Sequence, residues 1–118
     1  MTRFSSIYQR TAAITQLRLH GEPVGYLRTG QHEWHSYVAI VLRREEEIIR
    51  EVGDVVGPKA AIVYMLSSDD SDEGIMPGEV KTDRDLVRFA WLRGEDVKEM
   101  LVLRVLESQN GFTRLVVQ

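Results

Sequence analysis

Two short stretches of the sequence carry side chains whose types and spacing are suited to chemistry. The first, SSDDSDEGIMPGEV, runs from Ser67 to Val80 and holds the carboxylates Asp69, Asp70, Asp72 and Glu73 with no basic residue among them. Such a cluster is able to coordinate a hard cation, to act as a catalytic acid or base, or to stay solvated on a loop that meets a partner.

The acidic stretch does not fit the calcium loop of an EF-hand. Counting from Asp70, the third position is Asp72, but the fifth is Gly74 and the twelfth is Lys81, where a bidentate acid is required. A catalytic acid usually lies in an apolar pocket that raises its pKa, whereas these acids stand among serines and a glycine. We therefore predict an exposed, mobile loop over residues 67–77.

The second stretch, HEWH, places His32 and His35 on either side of Glu33 and Trp34. Transition metals bind imidazole and carboxylate side chains, and His20 is available as a third ligand. The spacing is not that of H-E-x-x-H, and in a strand positions three apart point to opposite faces. The pattern favours ordinary polar residues at the start of a strand, with a metal site as the alternative.

Composition restricts the class of protein. The 118 residues are 43% hydrophobic and 28% charged, which is typical of one folded domain spanning 1–118. The formal net charge is −3, and without the four acids of the loop it would be −3 + 4 = +1, so the acidity is concentrated there. The chain has no cysteine, which excludes disulfides and thiol chemistry. Its longest apolar run, 60–66, is too short to cross a bilayer, so we expect no membrane association.

The N-terminal residues predict a short helix. Over residues 3–13, Phe4, Ile7, Tyr8 and Ala12 recur at helical spacing. A helix this short is marginal alone, so we expect Phe4, Ile7 and Tyr8 to dock on the rest of the protein or on a neighbouring subunit.

The rest of the chain, 14–118, predicts short strands. Ile14, Leu17 and Leu19 alternate with polar residues, GEP then turns the chain, and Val24 and Tyr26 follow in a second strand. Further strands are expected at WHSYVAIVLR, with Val38, Ile40 and Leu42 on one face, at KAAIVYML, and at DLVRFAWLRG, ending at Gly94. The segment 43–53 fits one or two helical turns ended by Gly53 or a strand with a charged edge, and we favour a loop with a short strand or turn.

The C-terminal segment gives the clearest local signal. Two apolar runs flank Asn110-Gly111, the dipeptide that best tolerates the positive φ angles of a type I′ hairpin turn. The whole pattern predicts an all-β fold, a small antiparallel sandwich or barrel of six to seven strands with a short N-terminal helix.

The order of these segments resembles a known family. RFSSIYQRTAAITQL is followed by GEPVGYL and SYVAIVLRRE, and after the acidic loop come GIMPGEVKTDRDLVRFAWLRGE and MLVLRVLESQNGFTRLVVQ. This order, together with the length and the C-terminal strand pattern, is similar to that of the head–tail joining proteins of tailed bacteriophages, also called head completion, stopper or connector proteins.

The resemblance implies a structural protein of the virion, made in the host cytoplasm. Such proteins dock as a homo-oligomeric ring on the portal or adaptor protein, close the DNA-filled head and present a surface to the tail terminator or tail tube protein. DNA passes through the channel without sequence-specific binding, and no cofactor is implied. In this interpretation Ile75 and Met76 dock against a partner, while Asp69, Asp70, Asp72 and Glu73 stay hydrated and repel DNA so that it slides.

No nucleophile elbow, P-loop or dinucleotide-binding motif occurs in the sequence, so we expect a protein that is not an enzyme.

Two other interpretations remain. A small metal- or ligand-binding barrel, or a metal-dependent hydrolase using His32, His35 and the acids, is the alternative from another class. A tail terminator or baseplate component would share the fold class.

Overall fold

A computed structural model describes residues 3–53, 60–70, 72–91 and 95–118. In chain order its elements are α1 (Arg3–His20), β1 (Glu22–Leu27), β2 (His35–Leu42), α2 (Glu45–Val52), β3 (Ala61–Leu66), a 3-10 turn (Pro77–Glu79), β4 (Leu86–Ala90), β5 (Val97–Gln109) and β6 (Phe112–Val117).

The six strands form a closed antiparallel barrel. Their order around the barrel is β1-β2-β3-β6-β5-β4, and β4 returns to pair with β1. Closure gives each strand two neighbours, so it removes the free sheet edges that promote unwanted association. The predicted all-β fold class, a small antiparallel sandwich or barrel of six to seven strands with an N-terminal helix, is confirmed, and the structure is a barrel of six strands.

The core fills the inside of the barrel, and two helices cover part of its outside. The inward-facing side chains of all six strands form one apolar cluster that includes Tyr26, Val63, Phe89 and Leu115. On the outside, α1 packs near Leu66 and Phe112, and α2 packs over Ile62 and Val116. Strands β3 and β6 are therefore buried on both faces, which explains why their sequences are almost continuously apolar.

The first helix is longer than the sequence predicted. It continues to His20, so the strand expected over Ile14, Leu17 and Leu19 is wrong. Ala13 and Leu17 lie four residues apart on one face of the helix and are buried against the barrel, whereas Leu19 points to solvent. The apparent alternation came from Leu19, an exposed residue. Tertiary packing of Ala13 and Leu17 decides the conformation.

The segment 43–53 is also helical, which corrects the loop that we favoured. Helix α2 ends at Gly53, whose φ of 76° is the left-handed conformation that glycine adopts at no cost. The amide of Gly53 donates to the carbonyl of Ile49 at 2.7 Å. Ile48 is fully buried against Ile62 and Val116. Packing of this apolar face outweighs the charge of the acidic residues that begin the helix.

The C-terminal hairpin is confirmed. Gln109 pairs with Phe112 across the two-residue turn, and Asn110 and Gly111 have φ angles of 53° and 84°. Positive φ at both central positions is the signature of a type I′ turn. The twist of that turn matches the twist of β5 and β6, whose register then shifts between Leu106 and Gln109 and again between Val102 and Arg104.

The predicted strands β2 and β4 are present with changed details. Val38, Ile40 and Leu42 do share one face of β2, but it is the outer face, where α1 packs over Ile40 and α2 over Leu42. Val38 lies beside Gly21, at the end of α1, and stays half exposed. Strand β4 ends at Ala90, and its predicted end at Gly94 lies outside the described residues.

Candidate interaction surface

The acidic loop is the first part of the connection that runs from β3 to β4. It is fixed to the barrel at both ends. The amide of Ser67 donates to the carbonyl of Gly111 at 2.9 Å, and the amide of Ile75 donates to the carbonyl of Leu66 at 3.0 Å. The Thr113 hydroxyl then donates to the carbonyl of Ile75 at 2.7 Å. The loop is therefore held beside the turn of the C-terminal hairpin.

Short-range hydrogen bonds shape the loop between these anchors. The buried Ser68 hydroxyl accepts from the amide of Asp70 at 3.1 Å, and the Asp70 carboxylate accepts from the amide of Asp72 at 3.0 Å. Serine and aspartate side chains commonly stabilise turns in this way. A Cβ at Gly74 would lie 2.0 Å from the carbonyl oxygen of Leu66, so this close return of the chain requires glycine.

The six loop residues that were predicted to interact with a partner differ in their exposure to solvent. Asp69, Asp70, Asp72, Glu73 and Met76 are all exposed. Ile75, by contrast, is fully buried in the core of the barrel. Its assignment as a docking residue is therefore corrected. Its side chain fills the end of the protein's own barrel, where burial of an isoleucine stabilises the fold by roughly 2 kcal/mol.

An open groove of about 690 Å³ lies between α1 and the acidic loop. Its apolar lining comes mainly from Ile14 and Leu17 of the helix and from Val38 of β2, which is 51% exposed. Asp72 and Glu73 form the opposite wall. A groove with an apolar lining and a charged wall is typical of a surface that binds a protein segment.

Opposite charges face each other across this groove. Arg10 of α1 and Glu73 of the loop form an ion pair, with both side chains about half exposed. Arg18 lines the groove from the helix side. The helix wall is therefore basic and the loop wall is acidic, which gives the surface a defined polarity.

The predicted docking of the N-terminal helix can be checked for only some of its residues. Helix α1 docks on the barrel through Ala13 and Leu17. The side chains of Phe4, Ile7 and Tyr8 lie outside the described part of the structure, so their burial stays a prediction.

The histidines do not assemble into the alternative metal site. His20 ends α1, His32 lies in the β1–β2 loop, and His35 begins β2, where it stacks on Tyr37. Within residues 3–53, 60–70, 72–91 and 95–118, no three histidine or acidic side chains come close enough to hold a metal ion. The same part of the chain contains no helix long and apolar enough to span a membrane.

One buried polar group was not found by the sequence analysis. Asp85 is almost completely buried, and it accepts hydrogen bonds from the Tyr26 hydroxyl, from the amide of Thr29 at 2.8 Å, from the Thr29 hydroxyl at 2.7 Å and from the amide of Lys81 at 2.9 Å. These four donors come from β1, the β1–β2 loop and the β3–β4 connection. Asp85 therefore ties three chain segments together at one end of the barrel.

The hydrogen bonds determine the charge state of this cluster. Burial alone would raise the pKa of Asp85, but the hydrogen bonds from Lys81, Tyr26 and Thr29 outweigh it and hold that pKa below its ordinary value of 3.8. Burial, followed by the hydrogen bond to Asp85, raises the pKa of the Tyr26 hydroxyl. The carboxylate stays ionised and its two oxygens are both engaged, which fits a structural role. Asp85 ends the polar stretch KTDRD, residues 81–85, so the sequence around it does not indicate that its carboxylate is buried.

Comparison with known proteins adds no relative. The chain has no significant match to a protein-family model, to a curated protein or to a solved structure.

Proposed function

We propose that this protein is a structural component of the head–tail connector of a tailed bacteriophage. Copies dock as a ring on the portal or adaptor protein, close the DNA-filled head and provide the surface to which the tail attaches. The acidic loop lies at the channel or at the contact with the next ring.

The observation that carries the proposal is the placement of the acidic loop. Four carboxylates stand exposed on a segment that is fixed to the barrel at Ser67 and at Ile75. Fixed charges at one end of a rigid barrel produce a local negative potential that repeats in every subunit of a ring. Such a ring of charge repels phosphate, so DNA meets no adhesive surface as it passes.

The resemblance of the segment order to head–tail joining proteins supports the same function. The protein also has structural features that suit a connector subunit. It is a closed barrel with an anchored surface loop, and an apolar groove lies beside that loop. The groove and the loop offer an extended surface for a neighbouring protein, since apolar contacts supply affinity and charges supply orientation.

The test is complementation of a phage that lacks the gene. Replacement of Asp69, Asp70 and Asp72 by Asn and of Glu73 by Gln removes four negative charges, while each exposed charge alone contributes little to stability. We expect the variant to fold normally and to alter DNA retention or tail attachment. Electron microscopy would count full heads, empty heads and tailed particles.

A matched control removes the same charge elsewhere. Asp83, Glu95, Asp96 and Glu99 are all exposed and lie outside the acidic loop. Their replacement by Asn and Gln should leave the particle counts at the wild-type level. Wild-type counts from the acidic-loop variant as well would contradict the functional role of its charge. An excess of tails with abnormal length would instead indicate a tail terminator.

A further inference from the structure

The end of the barrel opposite the acidic loop holds a second pocket, of about 180 Å³. The acidic loop begins where β3 ends, whereas this pocket lies beside the start of β3, where Ala61 pairs with Val117 at the end of β6. Small barrels commonly hold ligands in such a mouth. The residues that line the pocket are Phe89, Trp91, Lys98, Glu99, Met100 and Gln118.

The inner walls of this pocket are apolar and aromatic. Phe89 and Met100 are buried members of the barrel core, and Trp91 packs against that core. The rings of Phe89 and Trp91 stack with 6.5 Å between their centroids and 25° between their planes. The guanidinium of Arg43, which pairs with Glu22, lies 5.2 Å from the centroid of the Phe89 ring. Contacts within the protein therefore hold these walls in place before any ligand arrives.

The strand register places a lysine on the inner face of the barrel at this mouth. Lys98 of β5 pairs with Phe89 of β4, so their side chains lie on the same face of the sheet. Met100, two residues further along, also faces inward and is buried. Val97, on the outer face, is 59% exposed. A charge inside and an apolar residue outside reverse the usual pattern of a strand, and such reversals are expected at functional sites.

The positive charge of Lys98 is not compensated by the neighbouring acids. Glu99 points to the outer face of β5, where it stands opposite Arg88 in the register. Glu22 already pairs with Arg43. Within the described part of the chain Lys98 takes part in no ion pair. The mouth therefore presents one free ammonium group above an apolar, aromatic floor.

We propose that this mouth binds a small aromatic carboxylate with a single ring. The ring lies against Phe89, Trp91 and Met100, and the carboxylate accepts a hydrogen bond from the ammonium of Lys98. The volume fits one ring, because an apolar cavity of about 150 Å³ binds benzene. Aromatic contacts supply affinity, and the charge-assisted hydrogen bond orients the ligand.

This site goes beyond the proposed connector function and does not depend on it. The pocket and the acidic loop lie at opposite ends of the barrel, so substitutions at Lys98 leave the loop unchanged. Ligand binding is measured on the free protein, and the connector function is measured on phage particles. Failure of either proposal is therefore distinguishable from failure of the other.

The test titrates the purified full chain with benzoate and follows tryptophan fluorescence. The chain has two tryptophans, and Trp34 stacks on Arg88 outside the pocket, so Trp34→Phe leaves Trp91 as the only reporter. We expect a saturable change with a dissociation constant at or below about 1 mM. Benzamide keeps the ring without the charge and should bind at least about fivefold more weakly.

Substitutions at Lys98 separate the charge from the apolar contact. In the Trp34→Phe background, Lys98→Gln should weaken benzoate binding about fivefold or more and leave benzamide binding unchanged, and Lys98→Arg should retain the preference for benzoate. Lys81→Gln is the matched control, because Lys81 is an exposed lysine outside the pocket, and it should change neither affinity. Circular dichroism and the melting temperature check that each variant folds.

Several results would overturn this inference. A fluorescence change that does not saturate below about 10 mM benzoate excludes the site. Equal affinities for benzoate and benzamide, or an unchanged benzoate affinity in Lys98→Gln, would show that Lys98 only extends into water from the barrel mouth. An equal loss in Lys81→Gln would indicate a general effect of charge. A benzoate-dependent signal that persists in Trp91→Phe, where Trp34 is the only reporter, would place the binding elsewhere.

Discussion

Replacement of Asp85 by asparagine tests how the barrel end is held together. One carboxylate oxygen of Asp85 accepts from the amide and the hydroxyl of Thr29, and the other accepts from Tyr26 and from the amide of Lys81. Asparagine keeps one accepting oxygen, so the Thr29 contacts survive. Its NH₂ group replaces the other acceptor and meets two donors. The Tyr26 hydroxyl can turn and accept, but the amide of Lys81 cannot.

The expected cost follows from these contacts. The amide of Lys81 is partly buried, and a buried donor left without an acceptor costs about 1–3 kcal/mol; loss of the charge weakens the remaining hydrogen bonds further. We expect Asp85→Asn to lower the free energy of unfolding by about 2–4 kcal/mol in urea denaturation. At about 5 °C per kcal/mol for a domain of this size, the melting temperature should fall by roughly 10–20 °C.

The lowered pKa of Asp85 adds a dependence on pH. Because its pKa is lower in the folded state than in the unfolded state, its ionised form contributes stability that is fully present above the ordinary value of 3.8. That contribution is lost as the pH falls from this value through the folded pKa. The difference in stability between the wild type and Asp85→Asn should therefore be constant near neutral pH and should shrink in acid.

Asp83→Asn is the matched control for Asp85→Asn. Asp83 is exposed two residues away, and its φ of 62° is a conformation that asparagine adopts well. The control should change stability by less than about 0.5 kcal/mol. Equal stabilities for the two variants, or a difference that does not shrink in acid, would refute the role assigned to the Asp85 hydrogen bonds.

Three further predictions concern the hairpin, the buried loop residue and the N-terminal helix. Gly111→Val should lower the free energy of unfolding by about 1 kcal/mol or more, because a β-branched residue resists the φ of 84° found there; an unchanged melting temperature would contradict the turn type. Ile75→Asp should unfold the protein or destabilise it by more than about 3 kcal/mol, whereas Met76→Asp at the exposed neighbouring position should stay within about 1 kcal/mol of wild type in the same denaturant titration. Ile7→Asp should cost on the order of 2 kcal/mol of stability or of assembly energy if the predicted docking of Ile7 is correct, and a variant that melts and assembles like the wild type would show that Ile7 does not dock.

The sequence predicted those elements whose cause is local. Asn110-Gly111 determines its turn through the φ angles that these two residues accept, so the hairpin could be located without any tertiary information. Strand β3 was also evident, since a short run of β-branched and apolar residues is typical of a buried strand. The number and length of the strands indicated a sandwich or a barrel, and the pairing of β4 with β1 makes it a barrel.

The errors occur where tertiary contacts decide between two local patterns. Leu17 and Leu19 fit a strand as well as a helix, and only the burial of Leu17 with Ala13 selects the helix. In 43–53 the charged residues obscured an apolar face that Ile48 buries against Ile62 and Val116. Period and propensity alone cannot resolve such segments, because the deciding energy comes from residues distant in the chain.

For the candidate surface, the sequence identified the acidic residues but not their spatial arrangement with the other groove residues. The acidic residues were identified because four like charges in one stretch are conspicuous. The groove was not, since it depends on the path of α1 across β2 and β3. Asp85 was missed for a similar reason: its donors Tyr26 and Thr29 lie more than fifty residues away in the sequence.

The connection from β3 to β4 meets two opposite physical requirements in one chain segment. Its acids need water, because burying four like charges would cost far more than any contact returns. The end of the barrel needs an apolar plug, which Ile75 supplies from within the same segment. Asp85, at the far end of the connection, then ties it to β1 through Tyr26. The acids themselves lie on the short stretch between Ser67 and Ile75, both of which are hydrogen-bonded to the barrel. The acids are therefore displayed at a defined place on the barrel with their side chains exposed, as the connector function that we propose would require.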